Sequence, residues 1–246
     1  MKIRLDQLLV AKELADTLES ARALIGAGEV YINDEIADKA GQQYADNITV
    51  RLKPRCPFVS RGGLKLEKGL DHFTISPHNQ ICADIGASTG GFSDCLLQRG
   101  AAKVYAIDVA YGLLAWEIRQ HPKVVVLERC NARNLTSSHL QGDFLDLAVI
   151  DASFISLAKL IPPIIPLFAK QVKIVALIKP QFELARKDVG PGGIVADKKL
   201  HEKALQKMSN FVHELGLQSR GVVASPILGA KGNREYLMYI TGEKKR

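Results

Sequence analysis

Between two aliphatic runs lies Asp84-Ile85-Gly86-Ala87-Ser88-Thr89-Gly90-Gly91-Phe92, an acid followed by a turn of small residues. Such a turn lets a ligand approach the backbone and aims amide N–H groups at a carboxylate. Its spacing is neither the G-x-x-x-x-G-K-[ST] cradle for phosphates nor the G-x-G-x-x-G of dinucleotide enzymes. Asp108 ends the next apolar run, close to the offset of about 20 residues at which an acid accepts hydrogen bonds from ribose hydroxyls. Loop and acid together imply a nucleoside cofactor with an amino-acid tail. The candidate contacts are Asp84, Gly86, Ser88, Gly90, Gly91, Phe92 and Asp108, with Asn131, after a third apolar run, for the adenine edge.

Three more charged residues stand at the ends of apolar runs: Asp151 after 147–150, Lys179 after 175–178, and Glu235 just before 236–240. In a parallel sheet the strand ends converge on one edge, so charges there face a common crevice. The elements that would place them are legible. Short apolar runs at 81–85, 104–107, 124–127, 145–150, 174–178, 222–224 and 236–240 alternate with helical patterns, which predicts an α/β fold with a largely parallel, buried sheet. A helical period of Leu64, Leu66, Leu70 and Phe73 carries Lys65 and precedes the first of these strands.

The first 50 residues differ in character. Leu5, Leu8 and Leu9, then Ala21, Leu24 and Ile25, recur at helical spacing, and Gly26-Ala27-Gly28 separates them from the strand-like Val30-Tyr31-Ile32. The boundaries predicted are a small module over 1–50, a basic linker over 51–60 and a larger domain over 61–246. Residues 1–50 hold five basic and nine acidic side chains, whereas 51–68 hold six basic and one acidic, so the chain's net charge of +7 builds from Arg51 onward. That excess suits an anionic partner.

Several function classes are excluded. Cys56, Cys82, Cys95 and Cys130 form no C-x-x-C pair, so a structural zinc is not expected and the thiols read as reduced, in a cytoplasmic protein. Residues 160–169 are strongly apolar but contain three prolines and are too short for a bilayer, which takes about 20 residues, so no membrane insertion is expected. Tyr111 and Trp116 are expected to pack within a helix rather than to serve as stacking platforms.

Lys65, Asp151, Lys179 and Glu235 match the Lys-Asp-Lys-Glu tetrad of the FtsJ-type ribose 2′-O-methyltransferases. Ser60-Arg61-Gly62-Gly63-Leu64-Lys65-Leu66, the glycine loop, Asp151-Ala152-Ser153-Phe154-Ile155-Ser156-Leu157, Lys179-Pro180-Gln181-Phe182-Glu183 and Gly232-Asn233-Arg234-Glu235 occur in an order that resembles the TlyA (hemolysin A) family over nearly the whole chain. The resemblance implies a Rossmann-fold class I methyltransferase behind a small α+β alpha-L RNA-binding module. It further implies S-adenosylmethionine as cofactor, and cytidine 2′-O-methylation of ribosomal RNA, free or in subunits and principally of the large subunit. Thr17-Leu18 and Asp34 depart from the family's usual Ser-Arg and turn glycine, and Ala110 and Leu113 from its usual Gly and Gln. Candidate RNA contacts are Arg4, Arg22 and Lys39 on the module, Arg51, Lys53 and Arg55 in the linker, and Arg61.

A ribose hydroxyl is a poor nucleophile, and Lys179 is the candidate base that removes its proton. Burial and the second cation, Lys65, favour a neutral amine, while Asp151 and Glu235 act in the opposite sense. Asp151 and Lys65 would position the ribose, with Glu235 holding a lysine. The glycine-containing loop 186–193, beside the Lys179 strand, reads either as a substrate-ordered lid or as a plain surface loop. Competing readings are a non-catalytic RNA-binding or ribosome-assembly factor, a membrane-lytic protein and a base-directed methyltransferase. The filled tetrad disfavours the first and third, and the lack of an apolar span disfavours the second.

Overall fold

Every side chain of the strand Leu147–Ile150 is buried, with Ala148 and Ile150 in one apolar core and Leu147 and Val149 in another. Burial on both faces belongs to a parallel strand covered by helices on each side. The computed structural model describes residues 2–53 and 56–244, and the chain divides into two units, Met1–Arg55 and Cys56–Arg246.

The first unit runs β1 (Lys2–Arg4), α1 (Leu5–Ala11), α2 (Leu18–Gly26), β2 (Val30–Ile32), β3 (Glu35–Ile36), β4 (Gln43–Ala45) and β5 (Val50–Leu52). Leu5, Leu9, Ala21, Leu24 and Ile25 bury the facing sides of the two helices against Val30 and Ile32. Thr17 caps α2: its Oγ1 accepts from Ser20 N and its own N–H donates to Ser20 Oγ, a reciprocal capping box. Asn33 and Asp34, both at positive φ, form the two-residue turn between β2 and β3, so the acid takes the left-handed place that a glycine usually fills.

The second unit runs α3 (Gly62–His72), β6 (Ile81–Ile85), α4 (Gly91–Gln98), β7 (Lys103–Ile107), α5 (Trp116–Arg119), β8 (Val124–Leu127), β9 (Leu147–Ile150), α6 (Ile161–Ile164), β10 (Gln171–Ile178), α7 (Pro180–Glu183), α8 (Lys198–Glu214), β11 (Gln218–Ala224) and β12 (Tyr236–Glu243). Its seven strands lie in the order β11-β12-β10-β9-β6-β7-β8. Each apolar run of the sequence became a strand, and β10-β9-β6-β7-β8 are parallel as expected. β12 lies antiparallel to both β10 and β11, so the sheet is mixed at that edge. The chain order reverses between β6 and β9, which places the crevice of a doubly wound sheet beyond their carboxyl ends.

Two cores hold this edge in place. α3 and α4 cover one face with Leu66, Leu70, Cys95 and Leu96, and α6 and α8 cover the other with Ile161, Ile164, Met208 and Val212. Tyr111 and Trp116 do not pack. They are 66% and 72% exposed, because the helix expected around them is the four-residue α5, which buries only Ile118. Tyr111 instead lies under the Arg129 guanidinium, 4.4 Å from the ring centre. No helix among the described residues is long and apolar enough to cross a membrane.

Candidate active site

The glycine loop follows β6 directly. Gly86 and Ala87 both donate to the Ile107 carbonyl, Ser88 N donates to Asp108 Oδ2 at 2.7 Å, and Asp108 Oδ1 accepts from Ala110 N at 2.8 Å. Gly86 has φ +86°, and a Cβ there would stand 2.7 Å from the Asp151 carbonyl oxygen, so the turn admits no side chain. Gly91 likewise lies against Ser60, where a Cβ would meet Oγ at 2.2 Å. This close packing carries α3, and Lys65 with it, up to the loop.

The tetrad assembles on this edge from four separate elements: α3, the ends of β9 and β10, and the entry to β12. Lys65 Nζ donates to Glu235 Oε2 at 2.6 Å and stands 3.9 Å from Asp151 Oδ2. Lys179 Nζ lies 2.6 Å from Asp151 Oδ1 and donates to Ser153 Oγ at 2.9 Å. Asp151 therefore sits between two lysines, and the four groups form an alternating row of charge. Lys179 and Glu235 are buried, and Gly229 leaves room for the Glu235 carboxylate, which a Cβ at that position would overlap.

A cavity of about 590 Å³ joins the loop to the tetrad. Gly86, Ser88, Gly91 and Phe92 line it, as do Lys65, Asp151, Lys179, Glu235 and Arg61. Asp84 and Gly90 stand behind the loop instead. Asp84 is fully buried and accepts from Ser93 Oγ at 2.7 Å, and its other oxygen has no partner. Burial raises this carboxyl from 3.8 to about 7, opposed by the Ser93 hydrogen bond and assisted by the Asp151 and Asp108 charges. Its direct part is thus to support the turn rather than to face the cavity. Asp108 and Asn131 lie outside this cavity, and Asn131 Oδ1 caps a turn by accepting from Arg133 N.

Sequence reasoning passed over several wall residues: Ser153, which holds Lys179, and Phe154, Gln181 and Phe182. Phe154 has φ +64°, is 91% exposed and packs at 5.2 Å on the Phe182 ring, a paired aromatic surface at the cavity. The signal was an aromatic residue in a loop directly after the strand that ends at Asp151. The loop expected as a lid does supply wall residues Val189, Gly192 and Gly193. It is tied down by Asp188–Lys203, by Lys231 Nζ on the Gly192 carbonyl, and by Asn233, whose Nδ2 donates to Gly193 O while its Oδ1 accepts from Val195 N.

The expected RNA contacts divide. Arg61, Lys39 and Lys53 are exposed, and Arg55 lies outside the described residues. Arg4 and Arg22 are exposed as well, and both guanidiniums also converge on the buried Asp6 at 2.9 and 3.0 Å. The Arg4 hydrogen bonds hold the Asp6 carboxyl far below the usual range against its desolvation, with Arg22 assisting. Arg51 pairs with Asp34 at 3.0 Å and lies over the Tyr31 ring. Asp6 and Asp34 thus pair with three of the module's arginines.

Residues 58–241 match the FtsJ-like methyltransferase family and residues 3–47 the S4 domain. The chain is 44% identical to the 16S/23S rRNA (cytidine-2′-O)-methyltransferase TlyA of Mycobacterium tuberculosis, over 100% of this chain and 92% of that protein. It is 39% identical to Hemolysin A of Brachyspira hyodysenteriae, over 96% and 99%. A solved structure from Streptococcus thermophilus, named as a hemolysin, superposes with a TM-score of 0.76 at 40% identity, over 99% of this chain and 89% of that one.

Proposed function

The chain belongs to the FtsJ-like methyltransferase family and, within it, to the TlyA group, and from that premise we propose that it methylates the ribose 2′-hydroxyl of cytidine in ribosomal RNA, principally that of the large subunit. The observation that carries this reading is Asp151 set between Lys65 and Lys179 on the wall shared with the glycine loop. A base-directed enzyme has no need of that lysine pair.

The cradle fits S-adenosylmethionine. Gly86 and Gly91 leave backbone exposed where any side chain would clash, and Asp108 stands at the end of β7 for the ribose. Gly86, Ser88, Gly91 and Phe92 would hold the amino-acid end, with Asp84 and Gly90 shaping the turn and Asn131 near the base. When bound, the cofactor supplies an electrophilic methyl group on a sulfonium sulfur.

The side chains of the chain do the rest. Lys179 accepts the proton that the attacking hydroxyl gives up, and Asp151 and Ser153 orient its amine from two directions. Lys65, neutralised by Glu235, holds Asp151 from the other side and presents N–H groups to the ribose. Phe154 and Phe182 offer a splayed base an aromatic face, the usual way in which unpaired RNA is gripped. Arg61 and Lys53 meet phosphate, and the S4 module adds RNA contact at Lys39.

The test incubates the protein and methyl-labelled S-adenosylmethionine with unmodified large subunits, small subunits and free rRNA. Label at an alkali-resistant linkage, lost in Lys179→Ala while cofactor binding persists, is the expected result. Label at an alkali-sensitive position would move the reaction to a base, and wild-type turnover in Lys179→Ala would remove that residue from the chemistry.

A further inference from the structure

The short helix α7 carries a functional group at each end. Lys179 precedes it, and Glu183 closes it with a carboxylate that is 2% exposed yet outside the cavity wall. That carboxylate reaches across to the loop that begins at Asp151. Its Oε2 accepts from Ser156 Oγ at 2.5 Å and its Oε1 accepts from the Leu157 N–H at 2.9 Å. Lys207 of α8 donates to the Glu183 backbone carbonyl and fixes this end of α7 from behind.

The loop 151–157 is thus held at both ends. Asp151 N donates to the Ile85 carbonyl at 3.0 Å, and the Glu183 carboxylate holds Ser156 and Leu157. Between those anchors are Ser153, which accepts from Lys179, and Phe154, strained at φ +64° and standing out against Phe182. One attachment between two loops leaves a hinge, and two fix their relative orientation. The Lys179 amine makes the first attachment, to Asp151 and Ser153, and must stay mobile enough to take a proton. A buried carboxylate without hydrogen bonds is costly, and here two donors from the neighbouring loop satisfy it.

We infer that Glu183 is a positioning residue for methyl transfer: it clamps the Asp151 loop to the Lys179 helix and so sets the geometry of the Asp151–Lys179 pair and of the Phe154 face. The inference rests on the ribose-methylation reading. It concerns shape rather than charge, and that distinction gives the test. In Glu183→Gln, Oε1 can still accept from Leu157 N–H, and Nε2 can donate to Ser156 Oγ. In Glu183→Ala both bonds vanish.

The experiment uses the full chain with Glu183→Ala, Glu183→Gln, Ser156→Ala and the Ser156→Ala/Glu183→Ala double variant. Each is measured for single-turnover methyl transfer to the rRNA substrate, cofactor affinity by calorimetry, thermal midpoint, and amide hydrogen exchange at Leu157. Misplacing reacting groups by about 1 Å costs about 10²-fold in rate, which is the loss expected of Glu183→Ala with cofactor affinity unchanged. Glu183→Gln should retain most of the rate, and Ser156→Ala should lose about tenfold, the equivalent of one hydrogen bond. The double variant should be no slower than Glu183→Ala, because the two residues act as one unit. Leu157 exchange should accelerate in Glu183→Ala and stay slow in Glu183→Gln.

Wild-type transfer in Glu183→Ala overturns the inference. So does a Glu183→Gln variant as slow as Glu183→Ala with cofactor affinity falling in step, which is general loss of structure. If Glu183→Ala does not fold, Ser156→Ala decides, and an unchanged rate there overturns the clamp. A wild-type chain that transfers no methyl group removes the reaction reading and the inference with it, whereas an active wild type beside an equally active Glu183→Ala removes the clamp alone.

Discussion

Glu235 is the most deeply buried of the four tetrad charges, and replacing it by glutamine separates its electrostatic part from its shape. Its Oε2 stands 2.6 Å from Lys65 Nζ, while Lys65 stands 3.9 Å from Asp151 Oδ2. At an effective dielectric constant of about 20, unit charges attract by about 6 kcal/mol at the shorter separation and about 4 kcal/mol at the longer. Glu235→Gln removes the stronger attraction but keeps the volume and one accepting oxygen. Asp151 then becomes the carboxylate that holds Lys65, and the two draw together at the expense of the Asp151–Lys179 contact. Desolvation offsets much of the gross attraction, and breaking a buried pair by removing one partner costs about 3–5 kcal/mol. The retained hydrogen bond places Glu235→Gln at the lower end, about 3 kcal/mol, read from urea unfolding. A shift of about 1 Å in the Lys179–Asp151 pair lowers the rate about 10²-fold. The assay is single-turnover transfer at saturating cofactor and rRNA, with cofactor affinity measured separately and expected to hold. If Glu235→Gln turns over at the wild-type rate while Lys179→Ala is inactive, the Lys65–Glu235 pair does not position Asp151 and the reasoning fails.

Gly86→Ala puts a Cβ 2.7 Å from the Asp151 carbonyl at φ +86°, and the left-handed backbone alone costs about 1–2 kcal/mol. Cofactor affinity should fall about tenfold or more while rRNA retention on filters persists; unchanged affinity would show that the loop yields. Asp84 keeps its proton to about pH 7 in the fold against 3.8 for an ordinary aspartate, so its burial lowers stability progressively as pH rises through that window. Asp84→Asn should flatten the fall in urea midpoint over that range, and a slope equal to the wild type's would assign the effect elsewhere. Asp6 titrates in the opposite direction, its stabilising ion pairs being complete above the usual carboxylate range and lost on acidification. Asp6→Asn should cost the first unit about 1–3 kcal/mol and release Arg4 and Arg22 toward phosphate. The slope of log affinity against log salt should then steepen by up to about 2, and a shallower slope would contradict the pairing.

The inner strands of the sheet were legible because burial on both faces demands continuous apolar runs, and shorter apolar runs also marked its edge strands β8 and β11. The direction of β12 was not, since a buried antiparallel strand such as 236–240 has the same composition as a parallel one. Asp151 and Lys179 could be placed at the crevice from strand ends alone, whereas the contact between Lys65 and Glu235, 170 residues apart, depends on how α3 packs beside β12. Trp116 and Tyr111 were misjudged because helical spacing was credited to a segment that makes a single turn. The joint pairing of Arg4 and Arg22 was not legible, because the Asp6 they share is near one in sequence and distant from the other.

The same geometry bears on where electrostatics acts. Two lysines and two carboxylates cancel within the tetrad, and Asp6 and Asp34 offset two of the three arginines they pair with, so most of the chain's net charge of +7 resides on other groups. Exposed cations such as Arg61 and Lys53 feel added salt fully, while the Glu235–Lys65 and Asp151–Lys179 contacts are sheltered from it. Under the proposed function, capture of RNA and the chemical step are governed by different charges. On that proposal, salt weakens capture, and at saturating RNA it leaves the transfer step at Lys179 in surroundings set by Asp151 and Ser153, with Glu183 behind them.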